Sequence, residues 1–337
     1  MLRIGVVGLG GMGTVHARNA ARLDGVQLVA VASTRPERAA GAAAELGARA
    51  STYEGLLAAE DVDAVVVAAR SIDHAVWARA VLGAGKHLFL EKPGATTVAD
   101  HEGIRAAASA HPECVVQVGY HRRYDTRWAE ARRRVAEGAI GRPLLVLGVA
   151  RDVRAPEPED PGPAGGFLLD MASHDYDAAC WFLAQEPAEV FAARQASVYP
   201  ELEALGDLDN AAVTVHFDGG GLAAIHVSRT CPWGHDVRAE VVGDEGSVFI
   251  GNEASRDGVT MMRRADGATF PQDYRELFTD AYVAELAAFV AACTGEGPAG
   301  PGLDDDRRAV AVGVAARASA VAGRPLEVGP DWPWTSA

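Results

Sequence analysis

Four short stretches hold the residues that could do chemistry. Glu91-Lys92-Pro93 follows the apolar run His87–Leu90. Asp170, His174 and Asp177 stand at i, i+4 and i+7. Gly8-Leu9-Gly10-Gly11-Met12-Gly13 follows the apolar run 2–7, and Ser33-Thr34-Arg35 follows another at 27–32. A carboxylate beside an imidazole is a general-base arrangement: the acid orients the ring and stabilises the imidazolium. Histidine is suited to take a proton near neutral pH. A lysine adds a positive charge that stabilises a developing alkoxide and can pass a proton on. Together these suit alcohol oxidation, in which hydride leaves carbon and a proton leaves oxygen. Only two of the 31 basic residues are lysines, Lys86 and Lys92. Arginine holds its proton whereas lysine can release it, so Lys92 is a candidate whose proton is used. Lys86, in a Gly-Lys-His turn, is read as a chance survivor of the bias toward arginine. Asp170 and His174 could also ligate a metal, but no third ligand follows at a suitable spacing, and no metal is expected.

The elements that must position these residues follow from periodicity. Runs 2–7, 27–32, 63–68, 87–90 and 114–118 read as buried strands. Helical patterns cover Thr14–Leu23, 36–46, 73–84 and 97–110. Strands alternating with helices predict a doubly wound parallel sheet. After about Gly119 the rhythm changes. A helix is predicted over 125–137, a strand over 143–151 and a Pro-rich loop over 155–164. One helix is predicted over 167–183, which would put Asp170, His174 and Asp177 on one face, aimed into a cleft. Strands follow at 189–198, 210–217, 222–229, 236–242, 246–250 and 259–262, and helices at 279–293 and 303–322. The fold class expected is α/β: a Rossmann domain over 1–121, then an α/β domain with an open, mostly antiparallel sheet over 122–337. Helix 303–322 is a candidate to pack back on the first domain.

The glycine pattern sits where a strand ends and a helix begins, the context that gives it meaning. Gly8 allows the tight turn, Gly10 lets a pyrophosphate approach, and Gly13 permits close helix–strand packing. Gly11 and Met12 lie in the first helical turn, whose free N–H groups suit an anion. An NAD site usually carries an acidic residue at the end of the second strand. Here stand Ser33, Thr34 and Arg35, with Arg38 beyond, which favours NADP over NAD. Ala69, Glu91 and Lys92 complete the expected dinucleotide contacts.

Composition excludes other classes. A net charge of −15 opposes a nucleic-acid partner or an anionic membrane. No apolar stretch is long enough to span a bilayer, and Met1-Leu2-Arg3 leads straight into the first strand with no signal peptide. Four scattered cysteines (Cys114, Cys180, Cys231, Cys293) fit a reduced, cytoplasmic compartment.

The chain resembles the glucose–fructose oxidoreductase, inositol dehydrogenase and MocA family over essentially its full length. The stretches that carry this are GVVGLGGMGTVHARNA, AGKHLFLEKP, VGYHRRYD and GGFLLDMASHDYDAACWFL. Within the family it looks most like inositol 2-dehydrogenases. The resemblance implies Lys92 as proton relay and hydroxyl anchor, His174 as base and Asp170 as its orienter. It implies substrate contacts from Arg122, Asp152 and His235, and a homo-oligomer, tetramer or dimer. Ser33 departs from the subgroup's acidic residue. Residues 231–236 depart from a stretch that carries tyrosines there. A keto-sugar reductase and a non-catalytic dinucleotide sensor are the competing readings; a sensor would not need Lys92, Asp170 and His174 together.

Overall fold

The computed structural model describes residues 1–155, 166–251 and 270–329. The expected strand 259–262 and nearly all of the Pro-rich loop lie outside them. The chain divides into two compact units, residues 1–124 with 280–307, and residues 125–279 with 308–337.

The first unit alternates strands and helices in order: β1 (Leu2–Val7), α1 (Gly11–Ala20), β2 (Val26–Ala32), α2 (Pro36–Leu46), β3 (Arg49–Ser51), α3 (Tyr53–Leu57), β4 (Ala64–Val67), α4 (His74–Gly83), β5 (His87–Leu90), α5 (Val98–Ala110) and β6 (Val116–Val118). The strands form one parallel sheet in the order β3-β2-β1-β4-β5-β6. The order reverses between β1 and β4, and ligands of such sheets bind at the carboxyl ends beside that switch point. β3 and α3 are too short to leave a periodic signal, and the sequence reading missed both.

The central strands β4 and β5, like most of β1, are apolar on both faces because helices cover both. Ile4, Val6, Val66 and Phe89 face one core with Ala17 of α1 and Ala39 of α2. Val7, Val65, Val67 and Leu88 face the other with Leu56, Ala78, Leu82 and Ile104. Leu286 and Phe289 belong to the first core, and they lie on α11 (Thr279–Thr294). Burying such side chains contributes roughly 1.5–3 kcal/mol each. That packing corrects the boundary after residue 121: residues 280–307 join the first unit. Helix α12 (Leu303–Ala322) gives residues 303–307 to the first unit and the rest to the second.

The second unit contains α6 (Thr126–Ala136), β7 (Pro143–Arg151), α7 (Gly166–Asp170), α8 (Ser173–Leu183), β8 (Pro187–Gln195), α9 (Glu201–Ala204), β9 (Asn210–Phe217), β10 (Leu222–Ser228), β11 (Asp236–Gly243), β12 (Ser247–Ile250), α10 (Tyr274–Leu277) and β13 (Leu326–Glu327). Its sheet runs β12-β11-β7-β10-β9-β8-β13. Every pair is antiparallel except β7 with β10. One face, with Val146, Val213, Val215, Ile225 and Val241, is buried. The other leaves Leu147, Leu222 and Phe249 at 37%, 40% and 49% exposure.

The predicted helix 167–183 is two helices, α7 and α8. Ser173 Oγ donates to the Asp170 carbonyl at 2.9 Å, the acceptor that a continuous helix would give to the His174 N–H. A serine hydroxyl that competes with the backbone in this way ends a helix. Asp170 is therefore the last residue of α7, and His174 stands in the first turn of α8.

Candidate dinucleotide site and active site

Gly8 leaves β1 with φ +90°, and a Cβ there would stand 2.4 Å from the Ala68 carbonyl oxygen. A Cβ on Gly13 would stand 1.8 Å from the Gly8 carbonyl oxygen. No other residue fits either position. A Cβ on Gly10 would meet no atom within 4 Å, so the loop opens outward there. α1 begins at Gly11 with no side-chain cap and no acid in its first turn. Its first N–H groups and its positive dipole end remain for an anion. These residues, with Met12 in the same turn, fit a dinucleotide pyrophosphate. At the end of β2, Ser33 Oγ accepts the Arg35 N–H at 3.1 Å. Arg38 donates to the Leu9 carbonyl at 3.3 Å, beside the glycine loop. Thr34 and Arg35 are exposed.

Lys92 lies in a turn held on several sides within the first unit. The Lys92–Pro93 peptide is cis. The Lys92 N–H donates to Glu91 Oε2 at 3.2 Å. His74 of α4 contacts the Pro93 carbonyl at 2.8 Å through Nδ1 and the Ala69 carbonyl at 3.1 Å through Nε2. The Gly94 N–H donates to Asp306 Oδ2 at 3.1 Å. Asp306 is fully buried; it also accepts from Tyr120 at 2.7 Å and stands 3.0 Å from His101 of α5. Glu91 Oε1 lies 2.6 Å from His16 Nε2 on α1. Glu285 of α11 completes a buried group whose ligand atoms lie within 4.8 Å of one another. Burial, and then the charge of Glu91, hold the Glu285 carboxyl well above its usual range. Arg122 is buried in the turn 121–124. Beside it, burial and the neighbouring cations Arg122 and Lys92 keep His121 neutral.

Lys86 does something else. Its Nζ donates to the Ala59 and Val62 carbonyls at 2.8 and 2.7 Å. It ties the segment after α3 to the start of β4, a structural role that the sequence reading did not foresee.

In the second unit a cavity of about 1020 Å³ is lined by Asp152, Asp170, Tyr199, Arg229, His235 and Tyr274 among others. Asp152 Oδ1 meets His235 Nδ1 at 2.9 Å, and the imidazole stands edge-on to Tyr274. With Nδ1 turned to the carboxylate, Nε2 is the ring atom left for a ligand. Arg229 is buried, pairs with Asp207 at 2.7 Å and lies over Phe167. The structure thus brings Asp152, Asp170 and His235 to one cavity. His174, half-buried, is outside its lining, and Asp177 is buried.

The sequence reading missed Arg229, His16, His74, His101, Glu285 and Asp306. One signal was available: Tyr282, Glu285, Leu286 and Phe289 stand at i, i+3, i+4 and i+7, so the acid falls on an apolar stripe. The histidines leave no such trace, because each finds its partner far along the chain.

The model of the GFO/IDH/MocA family for "Oxidoreductase family, NAD-binding Rossmann fold" matches residues 2–120, and that for its C-terminal alpha/beta domain matches 132–328. The chain is 34% identical to a scyllo-inositol 2-dehydrogenase (NAD(+)) of Bacillus subtilis, across 97% of this chain and 96% of that one. A crystal structure of a putative myo-inositol dehydrogenase from Sinorhizobium meliloti superposes with TM-score 0.89 at 30% identity, covering 98% of this chain and 100% of that one. A scyllo-inositol dehydrogenase from Lactobacillus casei with bound NAD(H) and scyllo-inositol gives TM-score 0.86 at 26% identity, covering 97% and 99%.

The state of Glu285 has a measurable effect on stability. The folded protein keeps its proton to higher pH than the unfolded chain, which releases it near pH 4.5. Stability therefore falls as pH rises above that value. Glu285→Gln removes this loss. Melting temperatures of both proteins across pH 5 to 8 should show a steeper decline in the wild type, by about 2–4 °C per kcal/mol. Parallel curves would mean that Glu285 ionises as freely folded as unfolded.

Proposed function

The chain belongs to the GFO/IDH/MocA oxidoreductase family, and from that premise we propose that it interconverts a secondary alcohol and a ketone on a cyclic polyol or sugar, an inositol or a close relative. The observation that carries this reading is the cavity that presents Asp152, Asp170 and His235 together. A molecule with a hydroxyl on every carbon needs such alternating acceptors and donors, and a site built on hydrogen bonds rejects analogues that lack them. When bound, the nicotinamide dinucleotide supplies the hydride acceptor. The protein's residues handle the proton. His174 takes the hydroxyl proton as base, and Asp170 orients and stabilises the imidazolium. Lys92 anchors the reacting oxygen, stabilises its developing charge and relays the proton. Arg122, Asp152 and His235 hold the remaining hydroxyls. Ala69 and the main chain of Glu91 line the dinucleotide side with the glycine loop, while the Glu91 carboxylate turns to His16 and the Lys92 N–H.

We further propose a preference for NADP. Ser33, Thr34 and Arg35 offer hydroxyls and a cation where a carboxylate would repel a 2′-phosphate, and Arg38 lies close by. The second sheet's open face, with Leu147, Leu222 and Phe249, supports association of copies of the chain as a dimer or tetramer; exposed apolar patches of this kind mark interfaces. Four free cysteines support a cytoplasmic setting. Among the described residues no helix is long and apolar enough to cross a membrane.

The direct test is initial rates by nicotinamide absorbance, with NADP and NAD each crossed against inositols, hexoses and their keto forms. Turnover of a polyol with NADP ahead of NAD is expected. The pair Ser33→Asp with Arg35→Ala should shift that ratio toward NAD, and an unchanged ratio would remove the assignment. Turnover of keto forms alone would point to a biosynthetic reductase; tight dinucleotide binding without turnover would point to a sensor. Lys92→Arg keeps the charge but cannot relay a proton. It should lose about 100-fold or more in kcat while still binding dinucleotide; wild-type turnover would end the role. Leu147→Arg with Phe249→Arg should give monomers by sedimentation velocity, and an unaltered assembly would place the interface elsewhere.

A further inference from the structure

The side chains of the buried group His16, Glu91 and Glu285 take no part in the proton steps above. A metal is the first occupant to consider, since one histidine and two carboxylates could supply three ligands. The distances argue against it. Two ligands about 2.1 Å from one ion in tetrahedral geometry stand about 3.4 Å apart. His16 Nε2 and Glu91 Oε1 are 2.6 Å apart, the spacing of a charge-assisted hydrogen bond. A carboxylate only accepts, so His16 donates through Nε2. The other oxygen of Glu91 accepts the Lys92 N–H. A Cβ on Gly119 would stand 3.2–3.3 Å from all three carboxyl atoms of Glu91; glycine at that position gives the carboxylate its room.

We propose that the buried His16–Glu91 pair is the positioning device of Lys92: it fastens the lysine's main chain to α1, the helix that opens the dinucleotide site. His16 is completely buried, and its ring packs on Phe89 at 4.9 Å. Its direction is therefore set by the core, and through Glu91 it sets the first residue of the Lys92 turn. Glu285 sits beside the pair as a neutral acid. Ionised, it would repel Glu91 and compete for the His16 proton. A dinucleotide seated against α1 then meets a lysine whose direction is set by the same helix, and a misplacement of about 1 Å at such a group can cost about 100-fold in rate.

The proposal rests on the reading that Lys92 acts in the proton path, and the variants separate the two. His16→Leu and Glu91→Gln should each lower kcat by about tenfold or more, with the dinucleotide Kd from fluorescence titration within about threefold of wild type. His16→Gln keeps an N–H at a similar reach and should recover kcat to within about threefold of wild type. A role in folding alone would lower melting temperature and affinity together and would not be rescued by Gln. If Lys92→Arg is inactive while His16→Leu and Glu91→Gln turn over like wild type, the positioning role is wrong and the lysine's role stands. If His16→Gln is as slow as His16→Leu, the hydrogen bond is not what matters, and the proposal falls. If Lys92→Arg turns over normally, the reading of Lys92 fails and the pair has nothing catalytic to position. Should His16→Leu fail to fold, Glu91→Gln, which keeps the shape of the side chain, decides alone by its kcat and Kd.

Discussion

The turn Glu91–Gly94 must stay rigid, and a buried carboxylate anchors its far end. Asp306 has no exposed surface, and an ionised acid without donors there would be costly. It receives the Gly94 N–H and the Tyr120 hydroxyl, with His101 at ion-pair distance. Partners of this number convert the cost of burial into a fixed position. Gly94 is held because Asp306 cannot move away from it. Pro93 is held by His74 and Glu91 by His16. Histidines of α1 and α4 thus meet the four residues at the carboxyl end of β5 directly, and a third, on α5, meets their anchor Asp306.

A parallel sheet supplies the reason that such a turn is available at all. Its strand ends collect loops on one edge, and helices on both faces leave those loops surrounded by side chains rather than water. β5 carries the turn out beside the switch point formed by β1 and β4. The helices that cover the sheet with Ala, Val and Leu also carry the histidines, His74 and His101 in the first turns of α4 and α5 and His16 midway along α1. Packing and positioning are therefore done by the same elements.

Much of this was legible in the sequence, and the limit has a physical cause. The glycine loop and the boundaries of β1, β5 and β7 express local rules, and the residue types alone pointed to them. The single helix over 167–183 failed because one hydroxyl, Ser173, outcompeted a backbone N–H, a contest that apolar periodicity does not register. Assigning helix 279–293 to the second domain failed for a different reason. Its amphipathic stripe says that it covers a core, and no local pattern says which one. The partners of His16, His101 and Glu285 were hidden likewise, since each meets a residue more than 70 positions away along the chain.

The discontinuity of the first unit bears on how the chain is made. Ile4, Val6 and Phe89 emerge early from the ribosome, but the helix that covers them with Leu286 and Phe289 is translated only after some 150 residues of the second unit. During that interval the nascent Rossmann sheet has one incompletely roofed face, and Gly94 lacks its anchor, Asp306. The sheet is thus finished only once residues 280–307 have been made. Chaperones that shield apolar surface have most to do in that interval, and the lysine turn becomes rigid only once Asp306 has been made and buried.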